Sequence, residues 1–128
     1  MRVLVTGGAG FIGHNLVKTL LSNQHQVNIL DITSSEDSRV KALVGMGASY
    51  YQGDIRDSSA ITKAGQDCTH IVHLAAQTSV PASVENPTLN DEINIIGTRN
   101  IIDFINSYDI KKIISASSAA VYGNCNQI

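Results

Sequence analysis

Short apolar runs alternate with longer runs of helical spacing along the whole chain. Arg2 to Thr6 is apolar, rich in β-branched residues and stops at glycine, which predicts a buried strand. Phe11 to Asn23 carries Ile12, Leu16, Val17, Leu20 and Leu21 at helical spacing. Val27 to Leu30 predicts a second strand, and the polar stretch Thr33 to Ser38 a loop. Val40, Leu43 and Val44 predict a short helix closed by Gly45 and Gly47. Ala48 to Gln52 predicts a third strand, and Asp57 can cap a helix running to about Ala64. His70 to Leu74 predicts a fourth strand. A loop punctuated by Pro81 and Pro87 follows. Pro87 suits the first turn of a long helix reaching about Tyr108, and Lys112 to Ala116 predicts a fifth strand.

Strands that alternate with helices imply a parallel sheet covered on both faces. Right-handed crossovers then leave few topologies, of which the Rossmann-type doubly wound sheet with strand order 3-2-1-4-5 fits best. Its ligand crevice lies at the carboxyl ends of the strands, where the order reverses between strands one and four. No repeat, linker or low-complexity tract interrupts residues 1–128, which are read as one domain, cut off after its fifth strand.

Composition narrows the function classes. The chain is 43% hydrophobic and 16% charged, ordinary for a soluble globular domain. Its formal net charge is −2 with the basic residues scattered, so no nucleic-acid footprint exists. The opening Val3-Leu4-Val5 run is too short for a signal peptide or a membrane span, which points to a cytoplasmic protein with no membrane partner. Cys68 and Cys125 lack metal-ligand spacing and read as free or buried thiols; no metal site is expected.

The candidate chemistry begins at Thr6-Gly7-Gly8-Ala9-Gly10-Phe11-Ile12-Gly13, between the first strand and the first helix. Gly8, Gly10 and Gly13 fit G-x-G-x-x-G, and Gly7, Gly10 and Gly13 fit G-x-x-G-x-x-G. In either frame the turn must be tight, and the backbone must approach a pyrophosphate that rests on the amide end of the helix. A side chain at Gly10 would stand where the phosphates belong. No Gly-Lys-Ser/Thr follows, so a nucleoside-triphosphate loop is not supported. Asp31 ends the second strand, where the dinucleotide fingerprint expects an acid that accepts hydrogen bonds from the adenosine ribose. Its charge repels a 2′-phosphate, and Ile32 to Ser35 contain no Arg to offset it, so NAD is favoured over NADP. A turn or helix-cap aspartate would look the same in isolation.

Four further motifs follow in order: Gly53-Asp54-Ile55-Arg56-Asp57, His73-Leu74-Ala75-Ala76, Asn94-Ile95-Ile96-Gly97-Thr98-Arg99-Asn100, and Ser117-Ser118-Ala119-Ala120-Val121-Tyr122-Gly123. With the glycine turn they resemble the NAD-dependent epimerase/dehydratase family, the extended short-chain dehydrogenase/reductases, over the whole chain. The match lies nearest the UDP-glucose 4-epimerase-like branch. The resemblance implies that the Phe11 and Ile12 amides also touch the pyrophosphate. It gives Asp54 the adenine amino group and Ile55 the ring, with Asp54 as a plain turn cap the alternative. It places small residues at Ala75 and Ala76, beside Leu74, where the cofactor crosses the strand edge. It puts Thr78 within reach of the diphosphate or ribose and turns Asn94 to the cofactor pocket, though Asn94 could also be an ordinary mid-helix polar residue. His73 is expected to pack structurally rather than act as a base.

Ser118 matches the family's catalytic Ser or Thr, which holds the reacting sugar hydroxyl; strand-end serines are the plainer alternative. Family dehydratases carry Asp-Glu directly after that residue. Here Ala119 and Ala120 stand there, which disfavours dehydration and favours an epimerase acting on a nucleotide sugar. The long helix is too apolar for one buried stripe, and the resemblance implies a homodimer through residues 88–108. The family's catalytic Tyr-x-x-x-Lys is missing: Tyr108 to Lys112 has the spacing but precedes the fifth strand, away from the crevice. The chain ends ten residues after Ser118, so it is expected to be the front part of an enzyme and inactive alone. Another nucleotide-sugar reductase, decarboxylase or dehydratase, or a non-catalytic dinucleotide sensor, remain the alternatives.

Overall fold

The computed structural model describes residues 1–123, so the reading of Cys125 lies outside the described residues. The strands are β1 (Arg2–Thr6), β2 (Gln26–Asp31), β3 (Ser49–Gln52), β4 (His70–His73) and β5 (Lys112–Ser115). All pair in parallel in the order β3-β2-β1-β4-β5, the expected doubly wound arrangement. The register sets Tyr51, Leu30, Thr6, His73 and Ser115 in one row across the sheet. The carboxyl ends therefore finish together and form one edge.

Helices α1 (Phe11–Ser22) and α2 (Ser38–Gly45) cover one face, and α3 (Ser58–Gly65) and α6 (Thr98–Ser107) the other. Side chains on a strand alternate between faces. On β1, Val3 and Val5 accordingly join Val17, Ile29 and Leu43 on one side, while Leu4 joins Leu30, Ile61, Ile71, Ile101 and Phe104 on the other. Asp37 and Asp57 cap α2 and α3, accepting from the amides of Arg39 and Ser59. Among the described residues no helix is long and apolar enough to cross a membrane.

Two sequence expectations need correction. The loop after β4 contains a short helix, α4 (Val80–Glu85), because Ser79 caps it and Pro81 suits its first turn. The long helix is not uniform: α5 (Pro87–Asp91) runs through a π-helical stretch, Glu92–Gly97, into α6. Here the chain meets two demands at once. Gly97 lies against Ile55, so close that a Cβ on Gly97 would stand 2.5 Å from Ile55 Cδ1. Three residues earlier, Asn94 turns to the loop after β4. Such widened turns are frequent at functional sites. As the apolar pattern implied, Ile101 and Phe104 are buried, while Ile95, Ile96 and Ile102 face outward.

Candidate functional site

The carboxyl edge of the sheet opens onto a cleft of about 1000 Å³. Gly7, Gly10, Phe11, Ile12, Gly13, Asp31, Asp54, Ile55, Leu74, Ala75, Ala76, Thr78, Asn94 and Ser118, singled out from the sequence, all line it. The topology alone brings these distant segments together.

The glycine turn is built for close approach. Gly7 has φ +72° and lies where a Cβ would stand 2.7 Å from the Ala75 amide nitrogen, so only glycine fits. Any Cβ at Gly13 would collide with the Gly7 carbonyl, which lets α1 sit close to the turn. Gly10 differs: φ −70° is open to any residue, and an added Cβ meets only the Gly7 oxygen, at 3.2 Å. Gly10 itself lines the cleft. Gly10 caps α1 without a side-chain hydrogen bond, so the first-turn amides keep no side-chain acceptor of their own. Bare backbone and a helix amide end facing a cleft fit the diphosphate of a dinucleotide.

Asp31 braces this turn from β2. Its Oδ2 accepts from the Ala9 amide at 2.9 Å, and its Oδ1 accepts from the Thr33 amide at 3.0 Å and the Thr33 hydroxyl at 2.8 Å. The Gly7 amide also donates to the Leu30 carbonyl at 2.9 Å. A carboxylate has about four lone-pair positions, so one on Oδ2 remains for an incoming hydroxyl without disturbing Thr33. Tyr50 on β3 donates its hydroxyl toward the Asp31 and Thr33 carbonyls and holds the loop from outside. Partial burial, with the Asp31 charge nearby, pushes the Tyr50 phenol up to about 12, so it stays a donor.

His73 occupies the floor between β1 and the long helix. The amides of Leu74 and Ala75 both donate to Thr6 Oγ1, at 3.3 Å each. Thr6 Oγ1 and His73 Nδ1 lie 2.7 Å apart, and His73 Nε2 and Thr98 Oγ1 3.0 Å; in the neutral ring one nitrogen accepts and the other donates. Burial lowers the imidazole's pKa below its ordinary value, which favours this neutral form. With both ring nitrogens engaged, His73 works as a fastener of the β4 end.

Asn94 fastens the next segment. Its Oδ1 accepts from the Gln77 amide at 2.8 Å, and its Nδ2 donates to the Gln77 carbonyl at 3.1 Å and to Asn90 Oδ1 at 2.9 Å. Asp54 is held by Arg56: the Arg56 amide donates to Oδ1 at 2.8 Å, and Nε and Nη2 donate to Oδ2 at 3.0 and 2.7 Å. Those guanidinium bonds hold the Asp54 carboxyl below its ordinary pKa. One Oδ1 lone pair stays without a hydrogen bond from Arg56. Ser118 follows β5, where its Oγ accepts from the Ala120 amide at 3.1 Å and opens a short 3-10 turn, leaving the hydroxyl proton free to donate.

The Tyr108 to Lys112 spacing forms no catalytic pair. Tyr108 is extended backbone just past α6 and stacks on Phe104 at 4.4 Å, while Lys112 begins β5. Sequence reasoning missed Thr33, Gln77 and Arg39, which also line the cleft. Arg39 was hidden by its distance from Asp31 along the chain. The Asp37 cap, which starts α2 beside the end of β2, was the signal that could have found it.

Residues 3–128 match the NAD dependent epimerase/dehydratase family. A putative UDP-glucose 4-epimerase from Methanocaldococcus jannaschii is 42% identical over 98% of this chain and 41% of its own length. The UDP-glucose 4-epimerase of Yersinia enterocolitica is 37% identical over 96% of this chain and 38% of its own. The crystal structure of the Thermus thermophilus UDP-glucose 4-epimerase complexed with NAD superposes with a TM-score of 0.81 at 38% identity, over 92% of this chain and 38% of that one. The Thermotoga maritima UDP-glucose 4-epimerase with UDP-glucose gives 0.87 at 33% identity, over 100% of this chain and 41% of that one. The chain thus spans about two fifths of the length of the relatives it matches. With a match across nearly its whole length, the chain belongs to the NAD-dependent epimerase/dehydratase family.

Proposed function

We propose that the chain is the NAD-binding part of a nucleotide-sugar 4-epimerase. One observation carries the reading: the bare glycine turn, its bracing acid and Ser118 share a single cleft at the strand ends. The Gly10 to Gly13 backbone receives the diphosphate, Asp31 the adenosine ribose, and Asp54 and Ile55 the adenine. Ala75 and Ala76 leave room for the cofactor to cross the β4 edge, and Thr78 lies within reach of it. NAD bound there supplies the hydride acceptor and donor for oxidising and restoring C4 of the sugar. Ser118 donates a hydrogen bond to the C4 oxygen and orients it. Ala119 and Ala120 offer neither acid nor base, which disfavours elimination.

Proton removal needs a base, and among the described residues lining the cleft Asp31, Asp54 and His73 are already engaged in hydrogen bonds. The test is calorimetric titration with NAD, paired with an epimerisation assay on UDP-glucose, the sugar for which the relatives are named. NAD binding without turnover is expected. Turnover by the 128 residues alone would overturn the assignment of the missing base. Failure to bind NAD would overturn the reading itself. A homodimer through the outward Ile95, Ile96 and Ile102 belongs to the same proposal, because exposed apolar clusters favour association. Sedimentation should show self-association, and a clean monomer contradicts it.

A further inference from the structure

Among the described residues lining the cleft, Arg39 is the only Lys or Arg. It stands in the first turn of α2, lines the same cleft as Asp31, Ile32 and Thr33, and feels the Asp31 charge. Unopposed, a guanidinium there would suit a phosphate, because its planar fork matches two phosphate oxygens. It is not unopposed. Arg39 Nε donates to Asp37 Oδ1 at 3.1 Å and Nη2 to Oδ2 at 3.0 Å, a two-pronged pair. The same carboxylate accepts from the Arg39 amide at 2.8 Å, so it fixes both the start of the helix and the direction of the side chain.

We infer that Asp37 is a specificity-determining residue: it ties down the one cation lining the cleft and leaves Asp31 free to repel a 2′-phosphate. The inference rests on the NAD reading above. Two carboxylates then face one guanidinium at the adenosine end, so an NADP phosphate meets net negative charge. Without the Asp37 charge the balance is neutral and the guanidinium can turn to the phosphate. The side chains are partly exposed, 54% for Arg39 and 27% for Asp37, so the effect is modest and largest at low ionic strength.

The test measures affinities for NAD and NADP by calorimetry in low salt, on the full chain and three variants. Asp37→Asn and Asp37→Ser both keep an N-cap acceptor and remove the charge. The third combines Asp37→Asn with Arg39→Ala. The NADP-to-NAD affinity ratio is expected to rise about fivefold in both single variants, the size of an exposed ion pair, and to fall back in the double variant. An unmoved ratio in the singles overturns the inference, as does a gain that survives loss of Arg39. No NAD binding by the unsubstituted chain would instead bring down the NAD reading, and this inference with it. NAD bound with an unmoved ratio overturns this inference alone.

Discussion

The two halves of the sheet are finished to different degrees. On β1 and β2 every residue from Val3 to Thr6 and from Val27 to Asp31 is buried, and the glycine turn they carry is fastened at Ala9 and Gly7. On β5 all four residues are exposed, and so is each one onward to Gly123. Ile113 and Ile114 are 40% and 55% exposed, although strands of a parallel sheet are ordinarily covered on both faces. On the proposed reading, the difference falls between cofactor binding and chemistry. The dinucleotide side owns its packing and hydrogen bonds, whereas Ser118 hangs on an edge that nothing among the described residues covers.

Truncation experiments break or sharpen this contrast. Leu4 is fully buried, so Leu4→Ala should cost about 2–5 kcal/mol in urea unfolding. Ile114→Ala on the exposed edge should cost less than about 1 kcal/mol. Equal losses would mean that the two halves are equally packed. Asn94→Ala comes next. It leaves the Gln77 amide and carbonyl without their partner and should cost about 1–3 kcal/mol, with faster hydrogen exchange at Gln77. Unchanged exchange would show that the loop after β4 holds itself.

The smallest effect is a pH dependence. Burial puts the His73 pKa in the folded chain below 6.5, the ordinary value it regains on unfolding. Between those values the unfolded chain binds more protons, so stability rises with pH. The contribution is fully present above 6.5 and is lost as pH falls through the folded value. Thermal melts should show this loss for the parent chain and a flatter profile for His73→Gln; parallel profiles would remove His73 as the cause.

Much of this was legible because the signals were local. The β-branched run ending at Gly7 and the apolar spacing from Ile12 to Leu21 each reported on their own element, and the alternation of elements gave the strand order. What escaped involved partners distant in sequence. Nothing near Asn94 announces the Gln77 backbone it grips, and the π-helical turn that accommodates it has no pattern of its own. The Thr6, His73 and Thr98 chain joins three elements and exists only once β1 and β4 pair. Arg39 lay outside the short window after Asp31 because helix caps, not residue counts, decide what returns to a strand end. Ser118 was legible only through resemblance, since a serine after a strand carries no physical signature of catalysis.

The central claim is that uncovered backbone at Gly10 receives the dinucleotide diphosphate. Gly10→Val tests it, because φ −70° there is open to any residue and an added Cβ meets only the Gly7 oxygen, a tight contact at 3.2 Å. Calorimetry with NAD, at a temperature where the thermal melt shows the variant folded, should show affinity reduced at least about 100-fold. NAD bound as tightly by the variant as by the parent would contradict the account.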